Sequence, residues 1–219
     1  MARKQLGLIH TSATLVPIFQ QLCKTHLPSV DVFNIADDSL IKDVIKRGGL
    51  TAKTARRVVE HVASAEAAGA DYIMVTCSSI GRAVETAAEL VSVPVLRVDQ
   101  PMADQAVQAR NTIGVLATLP TTLEPTADLL HRRAIKAGRK VEVIPRLCDG
   151  AFEALMGGDA GKHDAMVGAA LRELTEQVEL IVLAQASMGR VVDTLPADVR
   201  RIPILSSPPL AVQFLATVL

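Results

Sequence analysis

Residues Leu6–Thr11, LGLIHT, return 107 positions later as Ile113–Thr118, IGVLAT. The stretch TCSSIGRAVET (Thr76–Thr86) returns 108 positions later as AQASMGRVVDT (Ala184–Thr194). VDVFNIA matches VEVIPRL, and PVLRVDQP matches PILSSPP with a small gap. A register held over four segments means that one supersecondary pattern is used twice, and the chain must fold as two similar halves. Ser79, Gly81, Arg82, Val84 and Thr86 recur as Ser187, Gly189, Arg190, Val192 and Thr194, but Cys77 is answered by Gln185.

Within each half, short aliphatic runs alternate with segments of helical period. QLGLIHT, VDVFNIA, YIMVTCS and VPVLRVD read as buried strands in the first half, and TIGVLAT, KVEVIPR, LIVLAQA and IPILSSP in the second. LVPIFQQLCKTH, TAKTARRVVEHVASAEAAGA and SIGRAVETAAELV read as helices, followed by TTLEPTADLLHRRAIKAG, KHDAMVGAALRELTEQ and MGRVVDTLP. Thr51 is placed to cap the second of these, which should end near Gly69. Strands alternating with helices imply parallel pairing. The expected class is α/β, as two pseudo-symmetric halves, each a parallel sheet of about four strands flanked by helices. The halves are expected over residues 1–110 and 111–207, with a last helix over about 208–219 packing on the first half.

Composition narrows the function. Hydrophobic residues make up 49% and aromatics 2%, so the core is aliphatic and a ligand finds few ring surfaces to stack on. With zero formal charge and no basic patch, nucleic acid is not an expected partner. The apolar runs are strand-length, so no membrane association is expected. MARKQLGLIH runs directly into a strand without a signal-peptide pattern, which points to the cytoplasm. Three cysteines without CxxC spacing read as reduced thiols. Cys23 and Cys148 are expected to pack as small hydrophobes. His61, His131 and His163 lie in charged helical stretches and are expected at the solvated surface, and His26 near the first helix's C-terminus. No metal-ligand spacing, P-loop or GxSxG is present.

Ligands of parallel sheets collect at the carboxyl ends of strands. Those ends carry His10, Thr11 and Ser12; Thr76, Cys77, Ser78 and Ser79; Ala117 and Thr118; and Gln185, Ala186 and Ser187. If the two halves face each other, these loops line one active-site cleft. Backbone N–H groups and small hydroxyls there suit a small carboxylate without a Lys or Arg. Cys77, at the start of a helical segment, is expected to have a lowered pKa. Arg82 and Arg190, one turn into matching helices, are either surface residues or substrate contacts.

With its two matched halves and VTCSSIG at Cys77, the sequence resembles the aspartate/glutamate/hydantoin racemase superfamily over essentially its whole length. The family's first cysteine sits in a T-C-[NST]-[ST] context and its second in L-G-C-T, where this chain has IVLAQASM. The resemblance implies cofactor-independent proton transfer at the carbon next to the carboxylate of a small acid, in a homo-oligomer. Two thiols share that work in the family. Gln185 has no titratable proton, so Cys77 is left as the single cysteine, with His10 the expected second acid/base. Thr11, Ser12, Ser78, Ser79, Thr118, Gln185, Ala186 and Ser187 are the expected substrate-binding positions. A racemase, epimerase or isomerase is the leading reading. A decarboxylase needing one thiol to protonate its product, and a carboxylate-binding protein without catalysis, are the alternatives.

Overall fold

A computed structural model describes residues 3–197 and 199–219. Its elements run β1 (Gln5–His10), α1 (Val16–His26), β2 (Asp31–Ala36), α2 (Asp38–Arg47), α3 (Ala52–Ala67), β3 (Tyr72–Val75), α4 (Gly81–Ala88) and β4 (Val95–Arg97). They continue with α5 (Gln100–Ala109), β5 (Thr112–Ala117), α6 (Pro120–Lys136), β6 (Glu142–Leu147), α7 (Ala151–Met156) and α8 (Ala160–Leu174). The last are β7 (Leu180–Leu183), α9 (Gly189–Thr194), β8 (Ile204–Ser206) and α10 (Ser207–Leu215). Two compact units result, Met1–Gln100 with Pro208–Leu219, and Pro101–Ser207.

Each unit holds one four-stranded, all-parallel sheet, in the order β2-β1-β3-β4 or β6-β5-β7-β8. The repeat is visible in the registers. Leu6 pairs with Tyr72 and Ile9 with Val75 in the first sheet, and Ile113 pairs with Leu180 and Leu116 with Leu183 in the second.

Alternation along β1 divides the first unit's core between two faces. Leu6 and Leu8 join Phe19 and Cys23 of α1 and Ala211, Val212 and Leu215 of α10 on one face. Ile9 joins Leu40 and Val44 of α2, Val58 and Val62 of α3 and Val84 of α4 on the other. A central glycine in each sheet lets one helix come close. A Cβ on Gly7 would lie 3.3 Å from the Ala65 Cβ of α3, and one on Gly114 would lie 2.7 Å from a Leu174 methyl of α8. Burial of the Cys23 thiol raises its pKa to about 11, in keeping with a packing role.

Helix α3 begins at its Thr51 cap, whose hydroxyl accepts from Thr54 N–H at 3.2 Å, and the turn beyond it uses Gly69 at φ +92°. Helices α2, α5 and α7 were not expected from periodicity. The apolar residues of α2, Leu40, Ile41, Val44 and Ile45, do recur at helical spacing, but over a segment of only 10 residues. Its start is set by Asp37, which accepts from Ser39 N–H at 3.1 Å and Ser39 Oγ at 2.6 Å. The same carboxylate meets Arg57 Nη2 at 2.5 Å and His61 Nε2 at 2.8 Å from α3. His61 is therefore a half-buried partner of α2's cap rather than a solvated side chain.

Burial alone would raise the Asp37 pKa, but the bonds from Ser39 and His61 and the Arg57 charge outweigh it and lower it from 3.8 to about 2. A depressed carboxylate stabilises the fold above its unfolded value and loses that contribution as pH falls through the folded one. Asp37→Ala should therefore cost about 1–2 kcal/mol in urea unfolding at neutral pH. The gap between variant and parent should close as pH is lowered from 4 toward 2. A gap independent of pH would show that the cap acts without its charge.

Candidate functional site

The chain leaves β1 and returns through β2 on one side, then crosses to β3 on the other, which opens a switch point at the carboxyl ends of β1 and β3. Ile9 pairs with Val75, so the next residues, His10 and Thr76, then Thr11 and Cys77, leave the sheet side by side. The second unit repeats this with Ala117 and Ala184, then Thr118 and Gln185. Cys77 (φ −132°, ψ 118°) and Gln185 (φ −135°, ψ 139°) hold the same extended conformation, each before a three-residue 3-10 turn leading into α4 or α9.

The replacement of Cys77 by Gln185 preserves one interaction. In the first unit the Thr11 hydroxyl hydrogen-bonds the Cys77 sulfur. In the second, Thr118 donates its backbone N–H to Gln185 Oε1 at 2.6 Å and its hydroxyl to the same atom at 3.0 Å. The N–H donor fixes the carboxamide's orientation, leaving its NH₂ for other partners.

Cys77 keeps some accessible surface, while Thr11, Ser78 and Ser79 around it are buried. Its pKa is raised rather than lowered as expected. Burial is the dominant cause, opposed by the Thr11 hydroxyl, the N–H groups of Ser79 and Ile80 and the Ser79 hydroxyl. The expectation failed because burial outweighs these donors, which are local groups at the short Ser78–Ile80 turn ahead of α4. The site holds a protonated thiol at neutral pH, with donors ready to receive the thiolate.

His10 is fully buried. Its Nδ1 lies 2.9 Å from Thr76 Oγ1, its Nε2 lies 2.9 Å from Asn34 Oδ1, and its ring packs against Phe19. Burial lowers its pKa against the Asn34 bond, and both ring nitrogens are engaged. It ties β1 to β2 and to the residue before Cys77.

Among the other expected positions, Thr118 is buried, Ala186 and Ser187 are half-buried, and the Ser12 hydroxyl meets Thr14 Oγ1 at 2.7 Å. Arg82 is exposed with Glu85 3.9 Å away, and Arg190 donates to Asp164 at 2.7 Å. His131 is exposed. His163 is completely buried, contrary to expectation, because α8 turns it inward in line with Val167, Leu171 and Leu174. Among the described residues, no three His, Cys, Asp or Glu side chains form a metal-binding group, and no helix is long and apolar enough to cross a membrane.

Arg97 is the residue that sequence reasoning passed over. It is 3% exposed at the end of β4, donating to Asp99 at 3.0 and 2.9 Å and also to Glu85 of α4. Its guanidinium fills the space beside Gly81, where a Cβ would lie 2.2 Å from Arg97 Cζ. The Cys77 loop is thus braced by a buried, fully paired cation. The register puts Ser206 in Arg97's place in the second unit, 3.9 Å from where a Cβ on Gly189 would stand. An arginine two residues before an aspartate in an apolar strand, PVLRVD, was the available signal.

Two outcomes follow. Iodoacetamide modification of Cys77 should accelerate only as pH rises past the ordinary thiol value of 9.0. Thr11→Val, which removes a donor favouring the thiolate, should move that rise higher, and a plateau below pH 8 would contradict the geometry. Gly81→Ala should cost about 1–3 kcal/mol in urea unfolding because paired Arg97 cannot retreat. Gly189→Ala should be neutral or gain up to about 1 kcal/mol. Equal effects would remove the bracing role.

The family model for Asp/Glu/Hydantoin racemase matches residues 6–215. No relative is found by sequence among curated proteins. A glutamate racemase isoform from Bacillus anthracis superposes with TM-score 0.77 at 17% identity, covering 98% of this chain and 81% of its own. Aspartate racemase from Picrophilus torridus gives 0.73 at 12% identity, with 98% and 94% covered. Allantoin racemase from Klebsiella pneumoniae gives 0.72 at 18%, with 98% and 87% covered. These likenesses are of fold. The family match over nearly the whole length, on a chain whose two sheets repeat each other strand for strand, makes this protein a member of the Asp/Glu/hydantoin racemase family.

Proposed function

We propose that the protein is a cofactor-independent racemase or epimerase of a small acid, moving a proton at the carbon next to the carboxylate, with Cys77 as a proton carrier. The observation that carries this reading is the Cys77 thiol at the switch point, ringed by the Thr11 and Ser79 hydroxyls and the Ser79 and Ile80 N–H groups. A thiol kept protonated by burial can deliver its proton to an enediolate carbon. The donors that favour the thiolate then stabilise what remains. Gln185 cannot titrate. Its Oε1 is held by the Thr118 N–H and hydroxyl. His10, with both ring nitrogens engaged, is assigned to positioning the Cys77 loop.

The names of the structural neighbours supply the first substrates to try: both enantiomers of glutamate, aspartate and allantoin. In D₂O the protein should place deuterium at the α-carbon of at least one of them. Cys77→Ala should lower that exchange by roughly 10²–10⁴-fold with the fold intact, and undiminished exchange would overturn the reading. Release of CO₂ from a malonate without exchange would make the protein a decarboxylase. Binding without either reaction would make it a carboxylate-binding protein.

A further inference from the structure

An edge strand carries backbone N–H and C=O groups that its own sheet does not bond. Of the edges of the two sheets, β4 (Val95–Arg97) and β8 (Ile204–Ser206) are only three residues long. The other edges, β2 and β6, run for six residues each and occupy matching places in the repeat. In β6, Glu142 donates its N–H to Asn111 C=O at 2.7 Å and Cys148 donates to Ala117 C=O at 2.7 Å. Alternation then turns the backbone groups of Val143, Pro145 and Leu147 away from β5. Pro145 is exposed and has no N–H to offer, which closes that edge to a further strand. In β2, Asp31 donates to Lys4 C=O at 2.9 Å and Asp37 to His10 C=O at 2.9 Å, so Val32, Asn34 and Ala36 face outward. Asn34 stands where β6 has Pro145, opposite Leu8 as Pro145 is opposite Val115. Among the described residues, no backbone hydrogen bond from another segment reaches these outward groups of β2.

The open edge is also apolar. Val32 packs on the α1 face with Cys23 and Leu27, while Phe33 and Ile35 pack on the α3 face, and all three are half-buried. A groove of about 500 Å³, lined by Gln20, Lys24, Leu27, Pro28, Val30 and Val32, leaves room between α1 and the strand. The devices that blunt an edge, a proline or a charge within the strand, are present in β6 as Pro145 and Arg146. They are missing from Val32–Ala36.

The geometry points to β2 as the contact between two copies of this chain, paired antiparallel about a twofold axis so that two β2-β1-β3-β4 sheets become one. A twofold axis makes like strands antiparallel, and charge selects their register. Centred on Asn34, the pair would set Asp31 against the partner's Asp37, two carboxylates face to face. Centred on Phe33, it sets Val32 against the partner's Asn34. Val30, whose N–H already bonds Leu27 C=O at 3.1 Å, keeps its C=O for the partner's Ala36. Phe33 then faces the partner's Phe33 as a non-hydrogen-bonded pair, the setting in which side chains come closest. The amino end of β2, flanked by Arg3 and Lys24, lies along the partner's carboxyl end, where Asp38 is exposed. Because Pro145 closes the matching edge of the second unit, association ends at two copies and does not run on as a fibre. Pairing also steadies the strand whose Asn34 Oδ1 lies 2.9 Å from His10 Nε2. It does not depend on the chemistry assigned to Cys77.

Sedimentation velocity should show a dimer, and amide hydrogen exchange at Val32, Asn34 and Ala36 should be slow in that dimer and fast on dilution. Val32→Pro gives β2 the block that β6 carries and removes one hydrogen bond from each copy. It should raise the dissociation constant roughly 10–100-fold with circular dichroism unchanged, while Val143→Pro in β6 should behave as wild type. Val32→Lys replaces the proline variant should that fail to fold. A monomer at every concentration overturns the proposal, as does a dimer whose three edge amides exchange freely. A folded Val32→Pro that dimerises like wild type, or equal weakening by Val143→Pro, overturns it too. A monomer whose edge amides slow only when cell extract is added would give the edge to a foreign strand and overturn the second-copy assignment.

Discussion

A parallel strand flanked on both sides by strands it also precedes cannot close its own carboxyl end. β1 and β5 are such strands, and the loops leaving them and their neighbours β3 and β7 must part above the sheet. A threonine hydroxyl bridges that parting in both units, to sulfur in one and to a carboxamide oxygen in the other. One such bond is worth about 1 kcal/mol, too little to place a loop unaided. The ladder pairs, the close approach of α3 and α8 over Gly7 and Gly114, and the paired guanidinium beneath Gly81 set the position. The threonine then tunes the atom so placed. The same scaffold can therefore hold a thiol or an amide without moving its backbone.

Much of this architecture is legible in the sequence because a strand buried on both faces must be aliphatic throughout. LGLIH, YIMV, IGVLA and LIVL could be little else, and their spacing revealed the duplication. Helix α2 was harder to see, since Asp37 organises it through side chains 20 and 24 residues away. The site was legible in its residue types and less so in their states. The donors around Cys77 follow from TCSS, whereas the burial that outweighs them depends on chain segments packed around it. His163 shows the same limit: KHDAMVGAALREL looks polar at its start, and only the helix's seating turns the histidine inward. Arg97 stayed hidden because its partners, Glu85 and Asp99, lie on either side of it in the chain and meet only once β4 is in place.

The unequal treatment of the two glycines has an evolutionary side. After a duplication both copies begin with the same freedom to drift, but a buried cation clamped by two carboxylates couples Gly81, Glu85, Arg97 and Asp99, so that a change at any one of them disturbs the others. The copy carrying Ser206 has no such coupling, and single substitutions there can accumulate one at a time. Cys77 stands in the unit braced by that cation, and Gln185 in the unit that carries Ser206 in its place. A library of variants would accordingly hold more folded members when the residues around Gly189 are varied than when those around Gly81 are.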